Sequence, residues 1–147
     1  MIKVQHQDFD QAAEYRLLSE NTDADGAIVT FVGKVRNNNL GEDVKGLSLE
    51  HYPQMTEKAL KAIVNQAKTQ WELGNVTVIH RVGKLAIGEQ IVFVGVTSKH
   101  RASAFQACEF IIDYLKVSAP FWKKELTDNG EKWLDARDSD EQKAKLW

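Results

Sequence analysis

The residues best suited to chemistry are cations placed at the ends of predicted elements. Lys34 and Arg36 close an apolar run, GAIVTFVGKV, that reads as a strand because it is rich in β-branched and aromatic residues. His100 and Arg101 open a predicted helix, and Lys116 lies near its other end. Lys123 and Lys124 follow Pro120, which blocks further helix. A helix start at His100–Arg101 also offers free N–H groups and a positive dipole end, which favour a phosphate or carboxylate. Cations clustered around a buried element predict a site for an anionic ligand.

Each cation alone is more simply read as a surface charge. Arg36 leads into three asparagines and, after Leu40, a glycine, which favour turns. A solvated hairpin loop is the plain reading there. His80–Arg81 lies within a predicted strand, where successive side chains face opposite ways. It is expected to give a sheet-surface histidine and an exposed arginine. Cys108 falls in a predicted core stripe and is expected to act as a small buried hydrophobe. A reactive thiol would need access and cationic neighbours.

Composition narrows the classes. A formal net charge of -2 sets aside a general nucleic-acid binder, so any positive patch must be local. One cysteine allows neither an internal disulfide nor a cysteine cluster for zinc. HExxH, GxxxxGK[ST] and GxGxxG are all missing, so neither a metal nor a cofactor is expected. No apolar run reaches the ~20 residues that span a bilayer. The start, MIKVQHQDFD, does not read as a signal peptide, and a cytoplasmic location is expected. At 147 residues the chain is expected to form one domain, 1–147.

The positioning elements alternate between strand and helix. Strand character covers Ile2 to Gln5, Gly26 to Val35, Val44 to Tyr52, Val76 to Val82 and Gln90 to Thr97. Asp8 or Asp10 caps a first helix through Glu20, with Ala13, Leu17 and Leu18 on one face. A second helix starts at Pro53 and runs to about Trp71, with Met55, Ala59, Ile63 and Ala67 spaced for one face. The third starts near Arg101, with Phe105, Cys108, Ile112 and Leu115 toward the core. Phe121 to Leu126 and Lys132 to Ala136 form a hairpin around Asp128–Asn129–Gly130. Alternation there puts Phe121, Lys123 and Glu125 on one face, and Trp122 and Leu126 toward the core. Arg137 ends the second strand, and the polar tail beyond it is read as helical or mobile.

Arg101 and Lys116 are fifteen positions apart on one helix, which is ~22 Å at 1.5 Å per residue. A small ligand does not span that length. If both serve one site, a second copy of the chain supplies one of them, which predicts a homodimer with composite pockets.

Five stretches, GAIVTFVGKVRNNNLG, LEHYPQMTEKAL, VIHRVGKL, IVFVGVTSKHR and DYLKVSAPFWKKE, resemble the large, catalytic subunit of molybdopterin synthase. The resemblance covers about Asp25 to Arg137. It implies an α+β fold: an α/β hammerhead-type domain with an additional antiparallel β subdomain. It implies a homodimer within a heterotetramer, completed by two small ubiquitin-like sulfur-carrier subunits ending in a Gly-Gly thiocarboxylate. The implied reaction places two sulfurs on cyclic pyranopterin monophosphate, forming the dithiolene of molybdopterin. By the same resemblance Lys116 and Lys123 are the catalytic pair. Substrate contacts extend to Lys34, Val35, Arg36, His100, Arg101, Lys124 and Glu125, with Arg137 as a possible addition. One buried cysteine leaves the chain without a sulfur source of its own, which agrees with an external donor. The competing classes are a non-catalytic docking module for a ubiquitin-like partner and an RNA-binding domain, which the acidic balance and lack of stacking aromatics disfavour.

Overall fold

The computed structural model describes residues 1–39, 42–128, 130–134 and 138–147. The fold is mixed α+β, and two sheets carry it. The first has the order β1-β5-β7-β2: β1 (Ile2–Gln5), β5 (Leu73–Arg81), β7 (Gln90–Ser98) and β2 (Ala27–Lys34). β1 runs parallel to β5, and the remaining pairs are antiparallel. The second follows the path β3 (Asn38–Asn39), β4 (Glu42–His51), β8 (Phe121–Thr127) and β9 (Gly130–Leu134), with β6 (Gly83–Ala86) also paired to β4.

Helices cover both faces of the first sheet. α2 (Pro53–Gln70) packs over β1 and β5, and α3 (Arg101–Ser118) over β7 and β2. Leu60, Ile63 and Val64 of α2 meet Ala107, Cys108, Phe110 and Ile111 of α3 above Val76, Val78, Val94 and Val96. Side chains alternate across a strand, so Ile79 and Phe93 point to the other face, where Phe9 packs. α1 (Gln11–Leu18) lies on that side, capped by Asp10, whose carboxylate accepts from the N–H groups of Ala12 and Ala13. Gly95 permits close packing there, since a Cβ would sit 2.5 Å from Leu18. α4 (Asp138–Lys145) lies against α3. The Trp147 indole then packs on Trp71 and Phe110 and donates to the buried Asp113 carboxylate at 2.8 Å. The tail is therefore helical and ends in a docked aromatic.

Several expected faces are corrected. Leu17, Met55 and Phe105 are exposed, at 46%, 61% and 62%. The buried stripe of α2 is Thr56, Leu60, Ile63, Val64 and Ala67: Ile63 and Ala67 are inside as expected, and Thr56 and Leu60 take the places expected for Met55 and Ala59. That of α3 is Ala104, Ala107, Cys108, Ile111 and Leu115, with Phe110 and Asp113. β5 begins at Leu73, ahead of the strand start expected at Val76, and a further short strand, β6, follows from Gly83. His80 and Arg81 are both buried, at 2% and 7%, which overturns the exposed arginine. Backbone carbonyls solvate that guanidinium in place of water: Nε donates to His6 at 3.2 Å and Nη1 to Gln90 at 2.9 Å, with the Glu89 carboxylate 3.6 Å away.

Candidate functional site

The direction of α3 decides what can meet. β7 ends at Ser98 and α3 turns back over it, bringing Cys108 Sγ to 4.0 Å from the Val94 carbonyl. Lys116 therefore returns to the end of the sheet where β7 begins, and where Lys34 pairs with Gln90. His100 and Arg101 remain at the opposite end, beside the Ser98–Ala27 pair. One helix of 18 residues separates the two poles.

Lys34 is exposed at the end of β2, after a register shift between Gly33 and Lys34. Val35 is 4% exposed and packs with Leu47, Leu49 and Leu85. Its N–H donates to the Glu89 carbonyl and its carbonyl accepts from the Gly88 N–H, each at 2.9 Å. The buried valine fixes the backbone, while Lys34 and Arg36 on either side of it are exposed.

β8 brings the second lysine. Residues facing one another across an antiparallel pair share a face. Phe121, Lys123 and Glu125 therefore lie on the side of His51, Leu49 and Leu47, their partners in β4. This is the inner face: Glu125 is 5% exposed and Lys123 is half-buried. The expectation that Trp122 and Leu126 turn to the core is corrected. Trp122 is 41% exposed and meets the exposed Tyr52 edge-on at 4.6 Å. Lys124 shares that outer face, paired with Glu131 at 2.7 Å and lying 4.8 Å over the Trp133 ring. That lysine holds the Glu131 carboxyl below its ordinary range. Lys124 thus does not join Lys123. Arg137 lies outside the described residues.

Lys34, Arg36 and Lys116 thus lie at one end of the first sheet, and Lys123 faces that end from the second sheet. His100 caps α3 through its backbone, with no side-chain cap bond, and both His100 and Arg101 are exposed at the far end. Cys108 is buried, and burial pushes its thiol up to about 12, so it is no nucleophile at neutral pH. Among the described residues no group of three or more His, Cys, Asp or Glu is arranged to hold a metal ion.

The sequence did not place two histidines, His80 and His51, near Lys123. The His80 ring stacks on Phe121, with centroids 3.8 Å apart and planes at 18°. Burial pushes His80 down to about 4, and the nearby charges of Lys123 and His51 add to the effect. His51 lies across from Phe121 and also lines a cleft of ~360 Å³ with His6, Ser48, Glu50 and Lys84. Phe121 was legible as the inner-face neighbour of Lys123; the inward turn of His80 was not.

An α+β protein with exposed Lys34 and Lys116 at one end of a sheet, half-buried Lys123 on a second sheet, an inert thiol and no sulfur source of its own is suited to act on an anionic substrate with a group brought from outside. The family model described as MoaE protein matches residues 4–118. The molybdopterin synthase catalytic subunit of Escherichia coli (strain K12) is 60% identical over 146 residues, covering 99% of this chain and 97% of that protein. Its counterpart in Salmonella typhimurium is 63% identical over 139 residues, covering 95% and 92%. The structure of a molybdopterin biosynthesis MoaE protein from Burkholderia ambifaria matches with a TM-score of 0.85 at 46% identity, covering 100% of this chain and 97% of that one. The chain belongs to the MoaE family of molybdopterin synthase catalytic subunits, enzymes of molybdenum cofactor biosynthesis.

Proposed function

We propose that the chain transfers sulfur from the C-terminal thiocarboxylate of a small ubiquitin-like carrier to cyclic pyranopterin monophosphate, forming the dithiolene. The observation that carries this reading is the placement of Lys34, Arg36 and Lys116 at one end of the first sheet, with half-buried Lys123 facing them. Lys116 orients the incoming sulfur group and stabilises negative charge as sulfur attacks the pterin side chain. Lys123 is a second electrostatic group or the proton donor, with Glu125 beside it on the inner face. Lys34 and Arg36, held by buried Val35, bind the substrate's anionic groups. A slender Gly-Gly tail suits entry into a narrow crevice. No metal or organic cofactor takes part in this scheme. A cytoplasmic setting goes with it, because sulfur passes between soluble components.

The larger assembly belongs to the same proposal. The chain acts as one unit, 1–147, of α/β hammerhead type with β4, β8 and β9 as the antiparallel subdomain. It forms a homodimer, with one carrier on each catalytic subunit in a heterotetramer. Arg101, Phe105, Ile112 and Lys116 follow one stripe of α3, on the flank away from Gln106 and Phe110, which meet Trp71 of α2. β2, beneath α3, closes the first sheet at one edge. Two such flanks packed about a two-fold axis run antiparallel, setting the partner's Arg101 beside Lys116. An exposed phenylalanine between two terminal cations supports this reading.

The deciding measurement is dithiolene formation from cyclic pyranopterin monophosphate and thiocarboxylated carrier. Lys116→Ala is expected to slow it by about 10²- to 10³-fold, the range for removing one charge-stabilising group, with the carrier complex intact. Full activity in the variant would remove Lys116 from the centre. No activity in the unaltered chain, with the complex formed, would favour the docking-module reading.

A further inference from the structure

We propose that His80 is the positioning residue for Lys123, acting through Phe121; this rests on the reading of Lys123 as part of the catalytic pair. His80 lies on β5 in the first sheet, and Phe121 opens β8 in the second. Their stacked rings, 3.8 Å apart, join the two sheets close to Lys123. Phe121 and Lys123 are two residues apart on one strand and share its inner face, so fixing the first ring sets the height and tilt of the strand that carries the lysine.

Each component of this contact is itself fixed. His80 is 2% exposed, and its Nδ1 donates to the Arg81 carbonyl at 2.7 Å, which sets ring orientation and tautomer. Arg81 is held by the His6 and Gln90 carbonyls. On the other side, the Phe121 N–H bonds the Ala119 carbonyl at 2.8 Å, and the Pro120 carbonyl meets the buried Thr56 hydroxyl at 3.5 Å. A neutral imidazole suits this place, because a charged ring would oppose Lys123. Burial keeps His80 neutral across the working range, its pKa lying near 4.

The test compares His80→Ala, His80→Phe and Phe121→Leu, each made in the unaltered chain and in Lys123→Ala. Carrier-loaded enzyme is followed in single-turnover sulfur transfer, with carrier affinity and thermal midpoint measured alongside. Removing the stack by His80→Ala or Phe121→Leu is expected to slow transfer by about 10- to 100-fold, the effect of small misplacement of a reacting group, with carrier affinity unchanged. His80→Phe keeps a flat neutral ring and is expected to recover most of the rate. In the Lys123→Ala background the same substitutions are expected to cost nothing further, which mere loss of stability would not produce. Equal losses in both backgrounds, or a His80→Phe variant as slow as His80→Ala, would overturn the proposal. If His80→Ala does not fold, Phe121→Leu decides by the same comparison. Full activity of Lys123→Ala would defeat the catalytic reading on which the inference stands, a result distinct from additive losses.

Discussion

His80 differs from every cation in the site by being neutral and buried, and this has a thermodynamic signature. Its pKa falls from 6.5 to about 4 on folding. Below pH 6.5 the unfolded chain binds a proton that the folded chain refuses, so stability is fully present above pH 6.5 and is lost as pH falls toward 4. The size of this contribution is about 3 kcal/mol, at 1.36 kcal/mol per pKa unit. Urea unfolding between pH 4 and pH 7 should therefore show a steeper decline for the unaltered chain than for His80→Phe, which has no proton to take up. Parallel curves would mean that His80 is solvated in the folded state. At this scale the sequence identified the cations at element ends and the burial of Cys108. It did not reveal that Arg81 is buried, because a guanidinium enters the interior only where particular carbonyls await it, and those come from β7 and the segment after β1.

The elements themselves were mostly legible. Pro53 opens α2, Pro120 separates α3 from β8, and Asp10 caps α1. The faces were less legible, because periodicity does not say which side meets a partner. α3 carries apolar residues nearly all round, and the sheet selected Ala104, Ala107, Cys108 and Ile111 over Phe105. On α2 the fully buried Thr56 replaces Met55, its hydroxyl meeting the Pro120 carbonyl. A paired measurement checks this assignment. Leu60→Ala, at 1% exposure, should cost about 2–5 kcal/mol in urea unfolding. Met55→Lys, at an exposed position, should stay within about 0.5 kcal/mol. A large cost at Met55 would show that a partner covers it or that the helix is turned the other way.

At the scale of the whole molecule, Arg101 and Lys116 lie at opposite ends of one straight element, and a single chain cannot fold them together. The composite-site proposal predicts complementation. Arg101→Ala and Lys116→Ala chains are each inactive at both pockets of their own dimers. Exchanged in equal amounts, half the dimers are mixed and each carries one intact pocket, so about a quarter of the unaltered activity should return. No return of activity, with chain exchange verified by mass, would place Arg101 outside the pocket of Lys116.

The longer strands and helices in their order, the positions of the cations and the family could be read from the chain alone, while the short strands β3 and β6 could not, because the former depend on local periodicity, turn chemistry and residue identity. Packing settled which faces are inside, that Lys34 and Lys116 share one end, and that Lys123 but not Lys124 faces inward with Phe121 and Glu125. The physical reason is that alternation fixes two faces without ranking them. The ranking came from the second sheet closing over the end of the first, where a histidine of one sheet stacks on a phenylalanine of the other.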